Sequence, residues 1–185
     1  SNGHLYDMST NIISLLPEIF YEEKPDDGHE YIKILGLLKM KRIYRYVRRD
    51  YVNEPENLLK WKVLLPKSNG SGALGEVLST PLIGQPLIGH TETFMSIGSF
   101  DTEQEAQALL KYVKSKFARA LLGILKTTQD NPPEKWKFIP LQDFTTNSDI
   151  DWSKSISEID QQLYAKYGLS QEEIDFIESH VKEMN

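Results

Sequence analysis

Strand-like and helix-like patterns occupy different parts of this 185-residue chain, and this separation most limits the folds open to it. Segments rich in β-branched and aromatic residues lie at 31–38, 42–52, 61–65, 76–83 and 91–97. Helical patterns follow from residue 102 onwards, so strands and helices do not alternate as a doubly wound parallel sheet requires. The sequence therefore predicts an α+β fold: an antiparallel or mixed β-sheet with one long packed helix and a C-terminal helix pair.

Three capping boxes place the starts of the helices. In each, a Ser or Thr is followed three residues later by a Glu, and each side chain bonds a backbone N–H of the other residue. The boxes are Thr102 with Glu105, Ser155 with Glu158, and Ser170 with Glu173. Apolar residues at helical spacing continue from the first box to about residue 126, which predicts one long helix. Gly168 is a typical helix stop, and residues 136–144 are predicted to be a strand or extended segment interrupted at Pro140.

Several classes of site are excluded by residue types and patterns that the sequence lacks. It contains no cysteine, which removes disulfides and thiolate ligands and fits a reducing cytoplasm, where we expect the protein to act. Its four histidines are scattered without the spacing of metal ligands, so no metal site is expected. No apolar run approaches the roughly 20 residues that cross a bilayer, so no membrane partner is expected.

Two short motifs suggest ligand chemistry but lack its context. Residues 70–75 match the G-x-G-x-x-G pattern of dinucleotide-binding loops, yet a strand-like segment ended by Pro81 follows where a helix should begin. Residues 131–134, Asn-Pro-Pro-Glu, are close to the Asn-Pro-Pro-aromatic motif of adenine methyltransferases, with Glu134 in place of the aromatic residue. No nucleophile elbow is present. We therefore expect no bound cofactor, no catalytic residue and no enzymatic activity in this chain.

The feature most informative about function is an uneven distribution of charge. The chain carries a net charge of −6, yet residues 33–67 hold ten Lys and Arg against three Asp and Glu. Six of these cations lie within residues 39–49, interleaved with tyrosines. A basic block in an acidic chain indicates a local anionic partner. An edge strand protected by charge against aggregation explains the same pattern without a partner.

Nucleic acid is the anionic partner that this block fits best. Arginine side chains match phosphates and guanine edges, and tyrosines can bond phosphates or stack on bases. The loops at 69–75 and 85–93 are predicted to enter a groove of the duplex. The candidate DNA-binding residues are Lys41, Arg42, Tyr44, Arg45, Arg48, Arg49, Lys62, Lys67, Asn69, Gln85, His90 and Thr91.

A series of short phrases from about residue 30 to the end resembles one known family. The phrases are 41–46 (KRIYRY), 61–67 (WKVLLPK), 79–84 (STPLIG), 90–94 (HTETF), 116–119 (KFAR), 139–144 (IPLQDF), 149–153 (DIDWS) and 163–169 (LYAKYGL). In this order they are similar to the C-terminal target-recognition domain of bacterial restriction-modification adenine-specific DNA methyltransferases of type II. Some of those enzymes carry a fused nuclease, which is the type IIG arrangement.

The resemblance implies both a function and a division of the chain. In that family an N-terminal domain binds S-adenosylmethionine and methylates adenine, while the C-terminal domain reads the DNA sequence. Residues 1–28 are then a tag remnant and linker from a missing catalytic domain, 29–148 the α+β DNA-recognition domain, and 149–185 a helical extension packed on it. The implied partners are double-stranded DNA and the N-terminal methyltransferase domain. The alternative is a protein-interaction or subunit-assembly module of a restriction-modification complex.

Overall fold

The computed structural model describes residues 7–68, 78–125 and 133–184. In these ranges the strands are β1 (Tyr31–Leu38), β2 (Lys41–Arg48), β3 (Trp61–Pro66), β4 (Leu82–Gly84), β5 (Ile88–His90) and β6 (Phe94–Phe100). The helices are α1 (Ile12–Leu15), α2 (Glu103–Lys114), α3 (Lys116–Leu125), α4 (Pro133–Trp136), α5 (Ile156–Tyr167) and α6 (Gln171–His180). Single 3-10 turns lie at Pro17–Ile19 and Arg49–Tyr51. This content confirms the predicted α+β class.

The described strands form two small sheets. The first has the order β2-β1-β5, with β2 antiparallel and β5 parallel to β1, so it is mixed as the sequence allowed. The second has the order β4-β3-β6 and is antiparallel. The chain passes between the two sheets three times, and the connections from β4 to β5 and from β5 to β6 each have three residues.

The two faces of β3 hold the layers of the protein together. Because side chains alternate along a strand, Val63 and Leu65 lie on one face and Leu64 on the other. The first face belongs to the largest core cluster, which α2, α3, α5 and α6 complete. Leu64 instead packs with Phe94 of its own sheet and with Leu35 and Ile88 of the first sheet. This small cluster joins the two sheets.

The N-terminal segment covers the opposite face of the first sheet. Helix α1 and the turn after it bring Ile13 and Phe20 into a buried cluster with Ile32. Tyr21 and Tyr46 then exchange backbone hydrogen bonds of 2.8 and 2.9 Å beside β2. Residues interpreted as linker thus pack on the sheet, and the division into three regions stays a prediction.

The turn between β1 and β2 has an uncommon backbone conformation. Leu38 pairs with Lys41, so only Lys39 and Met40 connect the strands, with φ angles of 48° and 63°. Two successive positive φ angles define a type I′ turn, which usually contains Asn and Gly. A left-handed conformation costs an ordinary L-residue roughly 1–2 kcal/mol. The hairpin therefore contains local strain.

The prediction of one continuous helix over 102–126 is wrong at Ser115. Its ψ of 148° ends α2, and its Oγ accepts the N–H of Ala118 at 3.1 Å, so it begins α3. The carboxylate of Asp160 on α5 accepts the N–H groups of Lys116 and Phe117 at 3.0 and 2.9 Å. The apolar spacing runs through the break, because both helices face the same core.

Other boundaries follow tertiary contacts rather than local pattern. The strand predicted over 42–52 ends at Arg48, and the strand predicted over 91–97 runs from Phe94 to Phe100. Of the strand predicted over 76–83, only Leu82 and Ile83 lie in a strand within the described residues, and that strand is β4. Residues 137–144 form no strand. Side-chain hydrogen bonds hold this segment instead: the Tyr112 hydroxyl donates to the Pro140 carbonyl at 2.7 Å, and the Gln142 amide donates to the Tyr167 hydroxyl at 2.7 Å. The C-terminal helix pair, its capping boxes and the left-handed Gly168 are confirmed.

Replacing Asp160 tests the cap that divides α2 from α3. Asp160→Ala should lower the free energy of unfolding by about 1–2 kcal/mol, because two buried N–H groups lose their acceptor. Burial raises the pKa of Asp160 to about 6, while its bonds to the two N–H groups oppose that rise. Part of the loss is therefore offset by removal of a buried charge. Urea titration at pH 7.5 measures the free energy of unfolding of both proteins. Asp26→Ala, which removes a carboxylate from an exposed loop, is the control. If the two substitutions lower the free energy of unfolding equally, the capping role of Asp160 is contradicted.

Candidate nucleic-acid interface

The basic block lies mainly on β2, where its side chains alternate between two faces. Arg42, Tyr44, Tyr46 and Arg48 lie on the face towards the second sheet, and Arg45 lies on the opposite face. On the first face the cations lie near aromatic rings. Arg42 is 5.6 Å from the centroid of Phe94, and Arg48 is 4.8 Å from that of Tyr51. Tyr44 is partly exposed, and burial of its hydroxyl raises its pKa.

Three of the four arginines predicted to bind DNA are neutralised by carboxylates of the same chain. The Nη2 atom of Arg45 lies 2.6 Å from Oε1 of Glu22. A hydrogen bond from Arg49 to Glu54 raises the pKa of Arg49. Ion pairs at exposed positions contribute little stability, but they cancel local positive potential. The pairs are Arg45 with Glu22, Arg48 with Asp50, and Arg49 with both Glu30 and Glu54.

Arg42 differs from the other three arginines. Its guanidinium donates to the carbonyls of Thr80 and Ser79 at 2.7 and 3.1 Å, which anchor the side chain without cancelling its charge. Lys41 is exposed and Lys67 half-buried. Within the described ranges neither lysine forms an ion pair with a carboxylate.

An open groove of about 740 Å³ is lined by two of these uncompensated cations, Arg42 and Lys67. We call it the cationic groove; its lining includes Leu37, Met40, Arg42, Pro66, Lys67, Ser68, Glu92, Thr93 and Phe94. It lies between the β1–β2 hairpin of the first sheet and the end of β3 in the second. Among the described residues that line the groove there is one carboxylate, Glu92, whose Oε1 accepts the N–H of Thr10 at 3.1 Å. Met40 in the lining lies between Lys39 and Lys41 in the sequence.

Lys62 is buried rather than displayed on the surface. Its ammonium donates to the carbonyls of Asn57 and Lys60 at 2.8 and 3.0 Å, with those of Leu58 and Gln85 at 3.4 Å. Burial lowers the pKa of Lys62 to about 8. The ammonium therefore joins the loop before β3 to the loop after β4 and does not face solvent.

The remaining predicted loop residues have different positions. Thr91 is buried, and its Oγ1 donates to Thr93 at 3.2 Å, so its hydroxyl bonds inside the protein. Gln85 is exposed. His90 lines a second cavity of about 460 Å³ together with Lys62 and Lys67. Burial lowers the pKa of His90, and the two lysines lower it further. Asn69, like the glycine-rich motif at 70–75 and the first two residues of the Asn-Pro-Pro-Glu motif, lies outside the described residues.

The sequence predicted a turn at 39–41 but did not select its tip as a binding site, and it missed the neutralising carboxylates. Lys39 and Met40 were not selected, because the turn has neither Gly nor Asn to signal a two-residue loop. Asp50 and Glu54 follow their arginines closely in sequence and could have been paired with them. Glu22 and Glu30 reach β2 only through the fold, so no local pattern shows them.

Comparison with protein-family models, with curated proteins and with solved structures finds no match to this chain. Among the residues that the structure describes, no group of three or more His, Cys, Asp or Glu could hold a metal ion. In the same part of the chain, no helix is long and apolar enough to cross a membrane.

The buried ammonium of Lys62 predicts a pH dependence of stability. The pKa of Lys62 is about 8 in the folded protein and 10.5 without burial, so between these values the unfolded chain binds more protons. Folding stability should therefore rise with pH from about 8, by up to about 1.4 kcal/mol per pH unit. Lys62→Met removes this contribution. Urea titrations at pH 7.5, 8.5 and 9.5 compare the two proteins, and parallel stability profiles would contradict a depressed pKa.

Proposed function

We propose that this chain is a target-recognition domain that binds duplex DNA for a restriction-modification adenine methyltransferase or methyltransferase-endonuclease. It would position DNA for adenine methylation by a catalytic domain that also binds S-adenosylmethionine and is absent from this chain. Such an enzyme would act in the cytoplasm. The proposal rests on the sequence resemblance and on one structural observation, the cationic groove.

The cationic groove supports DNA binding because its positive charge is available to a partner. Arg42 and Lys67 lie in its lining, and Lys39 and Lys41 flank the Met40 that also lines it. Phosphate oxygens are the groups that Lys and Arg bind most often on DNA, and those contacts orient a protein on the duplex. Thr93 adds a hydroxyl to the same surface. The groove therefore offers the mixture of charged and polar donors typical of contacts to the DNA backbone.

The ion-paired arginines make the rest of β2 a weaker candidate for phosphate binding. A phosphate that binds Arg45 would have to displace the Glu22 carboxylate, and one that binds Arg49 would have to displace the Glu54 carboxylate. Such an exchange gains little, because one anion replaces another. We therefore place the DNA backbone along the cationic groove and assign those arginines to holding the edge of the sheet.

Removing Lys67 from the groove and Lys41 from the adjoining hairpin should reduce both DNA affinity and its salt dependence. Four phosphate contacts, from Lys39, Lys41, Arg42 and Lys67, predict a slope of log affinity against log salt of roughly −3 to −4. In Lys41→Ala/Lys67→Ala the slope should become shallower, at roughly −2. Fluorescence anisotropy with a labelled duplex across a salt series measures the slope.

A matched control uses two exposed lysines in the helical half of the protein. Lys137→Ala/Lys154→Ala removes the same charge and should retain the wild-type slope. The proposal would be overturned by a wild-type slope near zero. It would also be overturned if the control lost as much affinity as the groove variant.

Glu92 provides a test in the opposite direction. Glu92→Gln removes the carboxylate from the cationic groove but keeps an amide oxygen that can accept the Thr10 N–H. DNA affinity should rise severalfold at low salt, and the gain should shrink as salt screens the charge. Unchanged affinity at low salt, in the same anisotropy assay, would indicate that DNA does not lie along this groove.

A further inference from the structure

The tip of the β1–β2 hairpin combines an uncommon backbone with an exposed apolar side chain. Lys39 and Met40 both have positive φ angles, a conformation that L side chains seldom adopt. The Met40 side chain is 88% exposed, so it gains almost nothing from packing within the chain. Asn and Gly would form the same turn with less strain. The residues at the tip are therefore not explained by the stability of the hairpin.

The surroundings of Met40 indicate an anionic partner with apolar layers. Lys39 and Lys41 flank it in sequence, and it lines the cationic groove together with Arg42 and Lys67. An uncharged apolar surface would account for Met40 but not for the cations beside it. Duplex DNA accounts for both, because phosphates line its grooves and stacked bases lie between them. Methionine is among the side chains that insert between base pairs from the minor groove.

We propose that the hairpin tip enters the minor groove of duplex DNA and that Met40 inserts between two base pairs. This inference rests on the proposed DNA-binding function and adds a deformation of the DNA to it. Lys39 and Lys41 would contact the phosphates on the two sides of the inserted methionine. The cationic groove would hold the adjoining backbone. Insertion unstacks one base step and bends the duplex towards the major groove.

Two substitutions of Met40 separate insertion from folding and from charge. Met40→Gly removes the side chain, keeps all four cations and suits the positive φ angle, so thermal stability should rise. Its DNA affinity should fall by at least about tenfold, as expected when the burial of one methionine side chain is lost. The salt slope should not change, because the phosphate contacts remain. Met40→Leu keeps an apolar side chain of similar size and should bind nearly as the wild type does.

Fluorescence anisotropy and end-to-end energy transfer on a doubly labelled duplex of about 30 base pairs provide the measurements. The wild type and Met40→Leu should shorten the distance between the DNA ends, and Met40→Gly should not. If Met40→Gly binds and bends DNA as the wild type does, insertion is wrong while salt-dependent DNA binding stands. Loss of bending in Met40→Leu as well would also overturn it. If the wild type shows no salt-dependent binding, both proposals fail.

Discussion

The packing of four buried side chains between two small sheets determines the surface on which the proposed function depends. The apolar face of a sheet must be buried against another layer. Here Leu35 and Ile88 of one sheet meet Leu64 and Phe94 of the other. Beside this contact, residues from both sheets line the cationic groove. The helices on the far face of β3 supply the larger core, so the groove side is available for binding.

Electrostatic compensation then decides which cations can act. Summed along the sequence, residues 33–67 are strongly basic. In three dimensions, carboxylates from the N-terminal segment and from the loops beside β2 cancel Arg45, Arg48 and Arg49. What remains positive is the hairpin and the end of β3. The protein thus uses part of its basic block to hold an exposed sheet edge, and the proposed function rests on the remaining cations.

Features encoded over a few residues could be predicted from the sequence, and features formed by distant residues could not. The capping box at Ser155 and the stop at Gly168 depend on neighbours along the helix, and both were located correctly. The break at Ser115 depends on Asp160 from another helix, so the apolar spacing concealed it. Lys62 appeared to be one more cation of the basic block, although four carbonyls brought together by the fold surround its ammonium. For the candidate site, the sequence selected the region that borders the cationic groove but did not show which of its charges are paired and which are not.

The most direct test of where DNA binds is a titration of the isotope-labelled protein with duplex DNA, followed by backbone amide chemical shifts. If DNA lies along the cationic groove, the largest shift changes should occur at Lys39, Met40, Lys67 and Thr93, with small changes on α5 and α6. Changes concentrated around Arg45 and Arg49 would instead place DNA on the ion-paired edge of β2. Changes concentrated on the C-terminal helices, or none at all, would contradict the account.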